Sequence, residues 1–263
     1  MSLRSLEEFP RSVQDFVTRN ERQSLDPQYL EREAGKDAHW IYEESGLPWL
    51  KLAIEVPCAE MFQEALAWTE HMIEQDYPTL WGKDKKQEDA AQQGWKTICL
   101  HAIDGDMHKF DRANMYGYDH EDSAPYQWTE VAHKSPVTKA FLESFPYAKL
   151  YRARFTMLEP GGFAAPHIGR KENADYSHKI SFALNHPEGF AFLYERHGCI
   201  PWRAGRGFLL NVDENYHCVL NRSNVRRIHL ITMGRPDWEK IDPLFKQSYY
   251  DVDPRENLFI HQS

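Results

Sequence analysis

Short runs of apolar and β-branched residues, separated by turn sequences, dominate the chain from residue 150 to residue 233. The predicted strands are 150–158, 178–184, 190–194, 207–211, 218–221 and 227–233, with turns at 159–162, 185–189, 204–207 and 221–224. Short strands at such intervals favour an antiparallel sandwich or barrel over a parallel α/β sheet. We therefore predict a mainly β fold, closed as a double-stranded β-helix (a jelly-roll or cupin-like barrel).

The remaining sequence divides into regions around this barrel. We predict a helical N-terminal region over 1–93 that packs on the barrel, a double-stranded β-helix core over 94–240 and a C-terminal extension over 241–263. Within them, apolar spacing predicts a helix at 60–77, a solvated loop at 83–89, an outer strand at 95–102 and a short helix at 135–145. The long polar segment 104–133 is either an active-site cover or disordered.

The composition argues against two classes of partner. With 31 Lys and Arg against 40 Asp and Glu, the formal net charge of −9 disfavours a general nucleic-acid binder, because phosphate contacts need a basic surface. No apolar run approaches the roughly 20 residues of a membrane span, and the N-terminus lacks the apolar core of a secretory signal. Four scattered cysteines without a CxxC pair fit reduced thiols. We therefore expect a cytoplasmic protein without nucleic-acid or membrane partners.

Two histidines and one arginine mark the candidate functional site. His167 and His217 are fifty residues apart, each at the end of a predicted strand, and Arg227 follows ten residues later on the next strand. Neutral imidazole nitrogens are typical iron ligands, and a guanidinium can bind a carboxylate through two hydrogen bonds. The pattern predicts a metal site beside an anion site. Asp213 and Glu214, just before the second histidine, are expected to orient its imidazole.

Side chains alternate across a strand, so parity predicts which of them face the barrel interior. If Arg227 points inward, His229 does too, and Arg154 and Thr156 share one face of their own strand. Burying such basic groups unpaired is costly, so an anionic ligand is expected between them. Alone, Arg227 also fits a salt bridge to an acidic residue of the chain. His229 is either a contact in or near the substrate site or a core histidine with its hydrogen bonds satisfied.

The stretch 160–169 reads Pro-Gly-x-x-x-x-Pro-His-x-Gly. Together with the later histidine and arginine, it resembles the aspartyl/asparaginyl β-hydroxylase family of Fe(II)/2-oxoglutarate-dependent oxygenases, over about residues 94–238. The resemblance implies a double-stranded β-helix in which His167 and His217 bind iron. It also implies that Arg227 holds the distal carboxylate of 2-oxoglutarate.

Other positions match the family less closely. Thr156 falls where the family has a serine hydroxyl for the cosubstrate, and Ser181 where it has a histidine near the cosubstrate. Lys179 falls where the family has an arginine that meets the substrate, which implies a different substrate or a different grip on it. We therefore predict Arg227, Thr156 and Ser181 as cosubstrate contacts. The predicted substrate contacts are Lys179, Arg154 and His229.

The usual third iron ligand is a carboxylate two residues after the first histidine. Here that position is Gly169, which has no side chain to offer. Three alternatives remain open: water fills the position, as the resemblance implies; a halide fills it, as in iron-dependent radical halogenases; or the site is inactive. A Gly169→Asp variant is predicted to keep or gain hydroxylation in the first case and to lose chlorination in the second.

The resemblance implies an oxidoreductase that uses Fe(II), 2-oxoglutarate and O2. Our interpretation is a dioxygenase that hydroxylates an unactivated C–H bond of a small polar substrate. A free or carrier-bound amino acid fits the basic lining best. The first alternative is a halogenase that takes chloride at the iron, and the second is a non-catalytic cupin-like binding module.

Overall fold

The computed structural model describes residues 3–74, 92–169 and 179–258, which form a mainly antiparallel sheet flanked by helices. The strands are β1 (Trp49–Lys51), β2 (Ile73–Glu74), β3 (Gln92–Ile103), β4 (Tyr126–Trp128), β5 (Tyr147–His167), β6 (Lys179–Ala183), β7 (Phe190–Tyr194), β8 (Gly198–Cys199), β9 (Gly207–Leu210), β10 (His217–Asn221) and β11 (Arg227–Pro236). The α-helices are α1 (Arg11–Asn20), α2 (Ala38–Glu43), α3 (Cys58–Leu66), α4 (Glu130–His133), α5 (Pro136–Ser144) and α6 (Trp238–Lys246). Short 3-10 helices cover Leu6–Glu8, Pro27–Leu30, Thr69–His71, Ala113–Tyr116, Glu121–Ser123 and Pro254–Asn257, and a π-helical turn covers Gln247–Asp251.

The long strand β5 belongs to both halves of the curled sheet. Its first part pairs with β11, where Thr156 lies opposite His229, and its last part pairs with β10, where His167 lies opposite His217. The strand order β1-β9-β6-β11-β5-β10-β7-β8 therefore turns about β5, and the sheet curls into a half-barrel. The predicted double-stranded β-helix fold, mainly β with an N-terminal helical region, is confirmed.

The turn predicted at 159–162 is wrong, because the strand β5 continues through these residues. The glycines serve a bend within the strand instead. Gly161 has a φ of 77°, in the left-handed region. A Cβ on Gly162 would lie 2.8 Å from the Glu159 carbonyl oxygen and 2.9 Å from that of Gln93. Only glycine lets β3 approach this bend, at which β5 passes from one half of the sheet to the other.

The helix predicted at 60–77 is also wrong for residues 67–74, because α3 ends at Leu66, and residues 75–77 lie outside the described part of the chain. A 3-10 turn follows, and then Ile73 pairs with Thr97 as the edge strand β2 beside β3. Pairing with a neighbouring strand has overridden the helical spacing of the apolar residues. The predicted loop 83–89 lies outside the described residues, so the boundary at residue 93 remains a prediction.

The segment 104–133 is folded against β3, with a small apolar cluster of its own. This cluster is built on Ile103, Ala113 and Ala124, against which three tyrosines pack. Strand β4 pairs Trp128 with His101 of β3 and so fastens the end of the segment. Of the two alternatives, disorder is therefore excluded. In the part of the chain described here, no helix has the length and apolar character needed to cross a membrane.

One buried side chain connects the bend in β5 to the turn between β10 and β11. The Asn221 side-chain amide donates to the carbonyl oxygens of Leu158 (3.0 Å), Glu159 (3.3 Å) and Val225 (2.8 Å). Its oxygen accepts from the backbone N–H of Ser223 at 3.1 Å and from the hydroxyl of the same residue at 2.6 Å. This network fixes the end of β10 relative to the point where β5 changes sheets.

We predict that Asn221→Ala lowers the free energy of unfolding by about 3 kcal/mol or more, because several buried polar groups lose their partner at once and each costs about 1–3 kcal/mol. Chemical denaturation monitored by tryptophan fluorescence measures the change. Asn114→Ala, at an exposed position, is the matched control and should change stability by less than about 0.5 kcal/mol. Equal stability of the two variants would show that the network does not hold the sheet.

Candidate metal centre

The two predicted metal-binding histidines lie side by side. His167 is the last residue of β5 and His217 the first of β10, and the two are partners in the antiparallel register. Their ring centroids are 4.2 Å apart, with an angle of 56° between the ring planes. Because directly opposed residues of an antiparallel pair project to the same face, the strand pairing itself brings both rings to one point.

Each ring is oriented by a backbone carbonyl of its own segment. The Nδ1 atom of His167 lies 2.7 Å from the Ala165 carbonyl oxygen, and that of His217 lies 2.9 Å from the Asn215 carbonyl oxygen. A carbonyl only accepts, so Nδ1 carries the proton in both rings and Nε2 keeps its lone pair. This is the tautomer that a metal ligand needs. At Nδ1 of His217 the orienting contact is the Asn215 carbonyl, and the role predicted for Asp213 and Glu214 stays a prediction.

The surroundings of His217 keep its imidazole neutral. Burial, followed by the neighbouring His167, lowers the pKa of His217 well below its usual value. The Phe192 ring stacks on it at 5.2 Å and 15°, and the Tyr194 ring lies at 5.7 Å. The donor set consists of two adjacent imidazoles, each with Nδ1 on a backbone carbonyl, and an apolar wall beside His217. It fits a divalent transition metal such as Fe(II).

The position of the missing carboxylate is crowded rather than empty. The Gly169 N–H donates to the Val212 carbonyl at 2.8 Å, and a Cβ on Gly169 would lie 2.3 Å from Asp213 Oδ1 and 2.9 Å from the Val212 oxygen. Asp213 is itself buried, and its charge is the second cause, after burial, that raises the pKa of Tyr194. Within the described residues, no third His, Cys, Asp or Glu completes a ready metal cluster with the two histidines.

Arg227 is almost fully buried, at 1% exposure, at the start of β11. One guanidinium nitrogen donates to the Thr156 hydroxyl at 3.3 Å, and the group lies over the rings of Trp95 (4.9 Å) and Phe190 (4.6 Å). Its Nε has no hydrogen-bond partner, and none of the described carboxylates forms a salt bridge with it. Burial lowers the pKa of Arg227 to about 9. Among the described residues the salt-bridge alternative is therefore not observed, and a buried guanidinium in these surroundings is suited to bind an anion.

The other predicted cosubstrate residues lie beside this arginine. Thr156 is the cross-strand partner of His229, to whose carbonyl its hydroxyl is 3.4 Å away. The Ser181 hydroxyl on β6 lies 3.3 Å from His229 Nδ1. Thr156, Ser181, Arg227 and His229 are all buried. Strand parity was a sufficient guide here, because these residues sit on the inner face of three adjoining strands.

The two remaining basic residues lie in different places. Lys179, at the start of β6, is close enough to His217 to contribute to the lowering of its pKa, after burial and His167. Arg154 instead donates to the Phe110 carbonyl at 3.2 Å, and Arg152 donates to the same oxygen at 3.4 Å. The structure therefore brings Lys179 to the histidine pair and ties Arg154 to the folded segment 104–133.

From sequence, Trp202 fits either an edge of the pocket or a cover of the barrel. The other aromatic walls of the site and the contact between Asp213 and Gly169 were not indicated. Trp95, Phe190 and Trp202 surround the Arg227 and His229 side chains. Alternation along β3 and β7 could have placed the first two on an inner face. The contact of Asp213 with Gly169 joins residues far apart in the chain and leaves no local pattern.

Comparison with known proteins gives one family and several distant structures. The chain is similar to a 2OG-Fe(II) oxygenase-family oxidoreductase from Burkholderia pseudomallei, at 12% identity over 77% of this chain and 91% of that chain with a TM-score of 0.43. It is similar to a prolyl hydroxylase from Trichoplax adhaerens, in complex with a hypoxia inducible factor peptide, at 14% identity over 76% of this chain and 88% of that chain with a TM-score of 0.44. It is also similar to a Pseudomonas putida prolyl-4-hydroxylase, at 14% identity over 75% of this chain and 98% of that chain with a TM-score of 0.41.

A search of curated proteins found no match. The family model described as aspartyl/asparaginyl beta-hydroxylase matches residues 60–235, well over half of the chain. The matched range includes both histidines, Gly169 and Arg227. The chain belongs to the aspartyl/asparaginyl β-hydroxylase family.

Proposed function

We propose that this protein is an Fe(II)/2-oxoglutarate-dependent dioxygenase that hydroxylates an unactivated C–H bond of a small polar substrate. The observation that carries the proposal is the pairing of two metal-ready imidazoles, His167 and His217, with a buried guanidinium, Arg227, that has no carboxylate partner in the described chain. A bound Fe(II) would supply O2 activation coupled to decarboxylation of the cosubstrate. The protein supplies positioning and a dry site.

Each residue has a separate task in this proposal. His167 and His217 hold the metal through Nε2. Arg227 binds the distal carboxylate of 2-oxoglutarate, and the Thr156 hydroxyl fixes the guanidinium. The Phe192 and Tyr194 rings exclude water from one side of His217.

The substrate class follows from the charge near the metal site. Lys179 places an ammonium group near His217. This group suits the α-carboxylate of a free amino acid, or a side-chain carboxylate where the α-carboxyl group is bound to a carrier as a thioester. Arg154 would act on the substrate indirectly, through the segment whose Phe110 carbonyl it binds. No nucleic-acid or membrane partner is part of the proposal.

Between hydroxylation and halogenation, we favour hydroxylation. An oxygen of the Asp213 side chain lies beside Gly169, where a Cβ would come within 2.3 Å of it. Water at the position that Gly169 leaves open can donate a hydrogen bond to a carboxylate oxygen, and chloride cannot.

Product analysis tests the proposal and both alternatives. The protein is incubated with Fe(II), 2-oxoglutarate, O2 and a panel of amino acids and aminoacyl thioesters, with and without chloride. We expect succinate to form, and one substrate to gain a single oxygen atom whether or not chloride is present. Incorporation of chlorine would establish the halogenase. If the protein binds 2-oxoglutarate without needing iron and forms no succinate, it is the non-catalytic binding module.

We predict that His167→Ala and His217→Ala each weaken Fe(II) binding by more than about 100-fold, because even residues outside the ligand set contribute 10–100-fold. Anaerobic isothermal titration of Fe(II) into the metal-free protein measures this. His133→Ala, at an exposed position on α4, is the control and should leave binding unchanged. Loss of binding in only one of the two variants would remove the other histidine from the proposed centre.

The crowding at Gly169 reverses the expectation from sequence for Gly169→Asp. We predict that this variant loses Fe(II) affinity at least about 10-fold and unfolds more easily, because the new side chain meets Asp213 and the Val212 carbonyl. The double variant Gly169→Asp, Asp213→Gly moves the carboxylate from position 213 to position 169 and removes the clash with the Asp213 side chain. It should recover most of the lost affinity. Fe(II) titration and thermal unfolding of both variants measure the effect. Unchanged affinity in the single variant would contradict the observed packing.

A further inference from the structure

His229 is a buried imidazole next to the anion site with one ring nitrogen unused. Its side chain is 2% exposed, and its Nε2 atom has no hydrogen-bond partner. Its Nδ1 lies 3.3 Å from the Ser181 hydroxyl. A core histidine that is there for packing alone normally has both nitrogens satisfied or in contact with water. The unused Nε2 therefore points to a group that is absent from the protein chain.

Three observations place the His229 imidazole in the same site as Arg227. The two side chains are two residues apart on β11 and project to the same face of the sheet. The Phe190 ring touches both, at 5.6 Å from the His229 ring and 4.6 Å from the Arg227 guanidinium carbon. Thr156, which accepts a hydrogen bond from Arg227, is the cross-strand partner of His229.

The ring is also held in one orientation. Trp202, in the connection between β8 and β9, packs edge-to-face against it at 4.6 Å, and Phe190, on β7, packs edge-to-face against it at 5.6 Å. Both aromatic rings also form the wall of an open cavity of about 820 Å³, whose described lining includes neither His229 nor Arg227. The imidazole and the guanidinium therefore lie on the inner side of this aromatic wall, toward the barrel interior.

The charge of the ring and its tautomer follow from the neighbours. Burial, then Arg227, then His186 lower the pKa of His229 well below its usual value, so the ring is neutral. The Ser181 hydroxyl can donate to Nδ1 or accept from it. An anion at Nε2 selects the tautomer in which Ser181 donates to Nδ1 and Nε2 carries the proton. The serine thus lets a neutral imidazole become a hydrogen-bond donor for a carboxylate.

We infer that His229 donates from Nε2 to the same carboxylate that Arg227 binds, and that Ser181 positions it for this. His229 is then a cosubstrate-binding residue and not a substrate contact. The inference rests on the proposed function, because it takes that carboxylate to be the distal group of 2-oxoglutarate.

The test is 2-oxoglutarate binding to the Fe(II)-loaded protein without O2, measured by isothermal titration. His229→Phe keeps a ring of similar shape and removes the donor, and should weaken binding by about 10–100-fold, the range of a hydrogen bond to a charged group. His229→Gln retains an N–H near the position of Nε2 and should recover most of this loss. Ser181→Ala, which removes only the positioning hydroxyl, should weaken binding by about 3–10-fold.

A second ligand separates direct contact from a structural role. 2-Oxobutanoate has the metal-chelating end of the cosubstrate and no distal carboxylate, so His229→Phe should leave its affinity unchanged. An equal loss for both ligands would show that the imidazole only supports the fold, and would overturn the inference. Recovery by His229→Gln would argue against such a structural role.

Arg227→Met is the reference variant, because it separates a failure of the inference about His229 from a failure of the proposed function. If Arg227→Met loses 2-oxoglutarate binding while His229→Phe retains it, the inference about His229 fails and the proposed function stands. If neither variant changes the affinity, the cosubstrate does not bind here and both fail together. Loss in both variants, specific to the ligand with the distal carboxylate, supports both.

Discussion

The candidate metal centre depends on one antiparallel pairing, that of β10 with the end of β5. His167 and His217 meet because they are directly opposed in this pairing, and a slip of one residue would turn one ring to the other face. Asn221 binds the bend in β5 from the far end of β10, and the ladder shifts register between Val219 and His217. Residues outside the histidine pair therefore position the two strands that bring its rings together.

A second constraint acts in the other half of the barrel. Arg227 is buried against Trp95 and Phe190 without a charged partner in the described chain, an arrangement that destabilises the empty protein. The same arrangement favours any anion that reaches it, because a charge interaction in a site with little water is strong. β5 connects this anion site to the histidine pair, since Thr156 lies on its first part and His167 at its end. One strand thus sets the separation between the histidine pair and the residues around Arg227.

The sequence was informative wherever function follows strand periodicity. Alternation and turn residues predicted most core strands within a few residues and brought Arg227, Thr156 and His229 to one face, because parity is a local property. It failed where a distant partner decides the conformation. Ile73 lies in a strand because Thr97 is available to pair with it. The glycines at 161 and 162 gave a turn signal although they permit a bend, since both need a backbone without a Cβ.

Gly169, at the candidate metal centre, shows why a missing side chain is a poor guide to what a site contains. From sequence, Gly169 is only the loss of a ligand, and water, which the family resemblance implies, halide and inactivity stay open. In the structure the glycine is required, because the Asp213 carboxylate and the Val212 carbonyl occupy the space of its Cβ. The segment that leads into His217 therefore brings a carboxylate oxygen close to the place of the absent ligand. What this position can hold depends on that neighbouring segment as much as on the missing side chain.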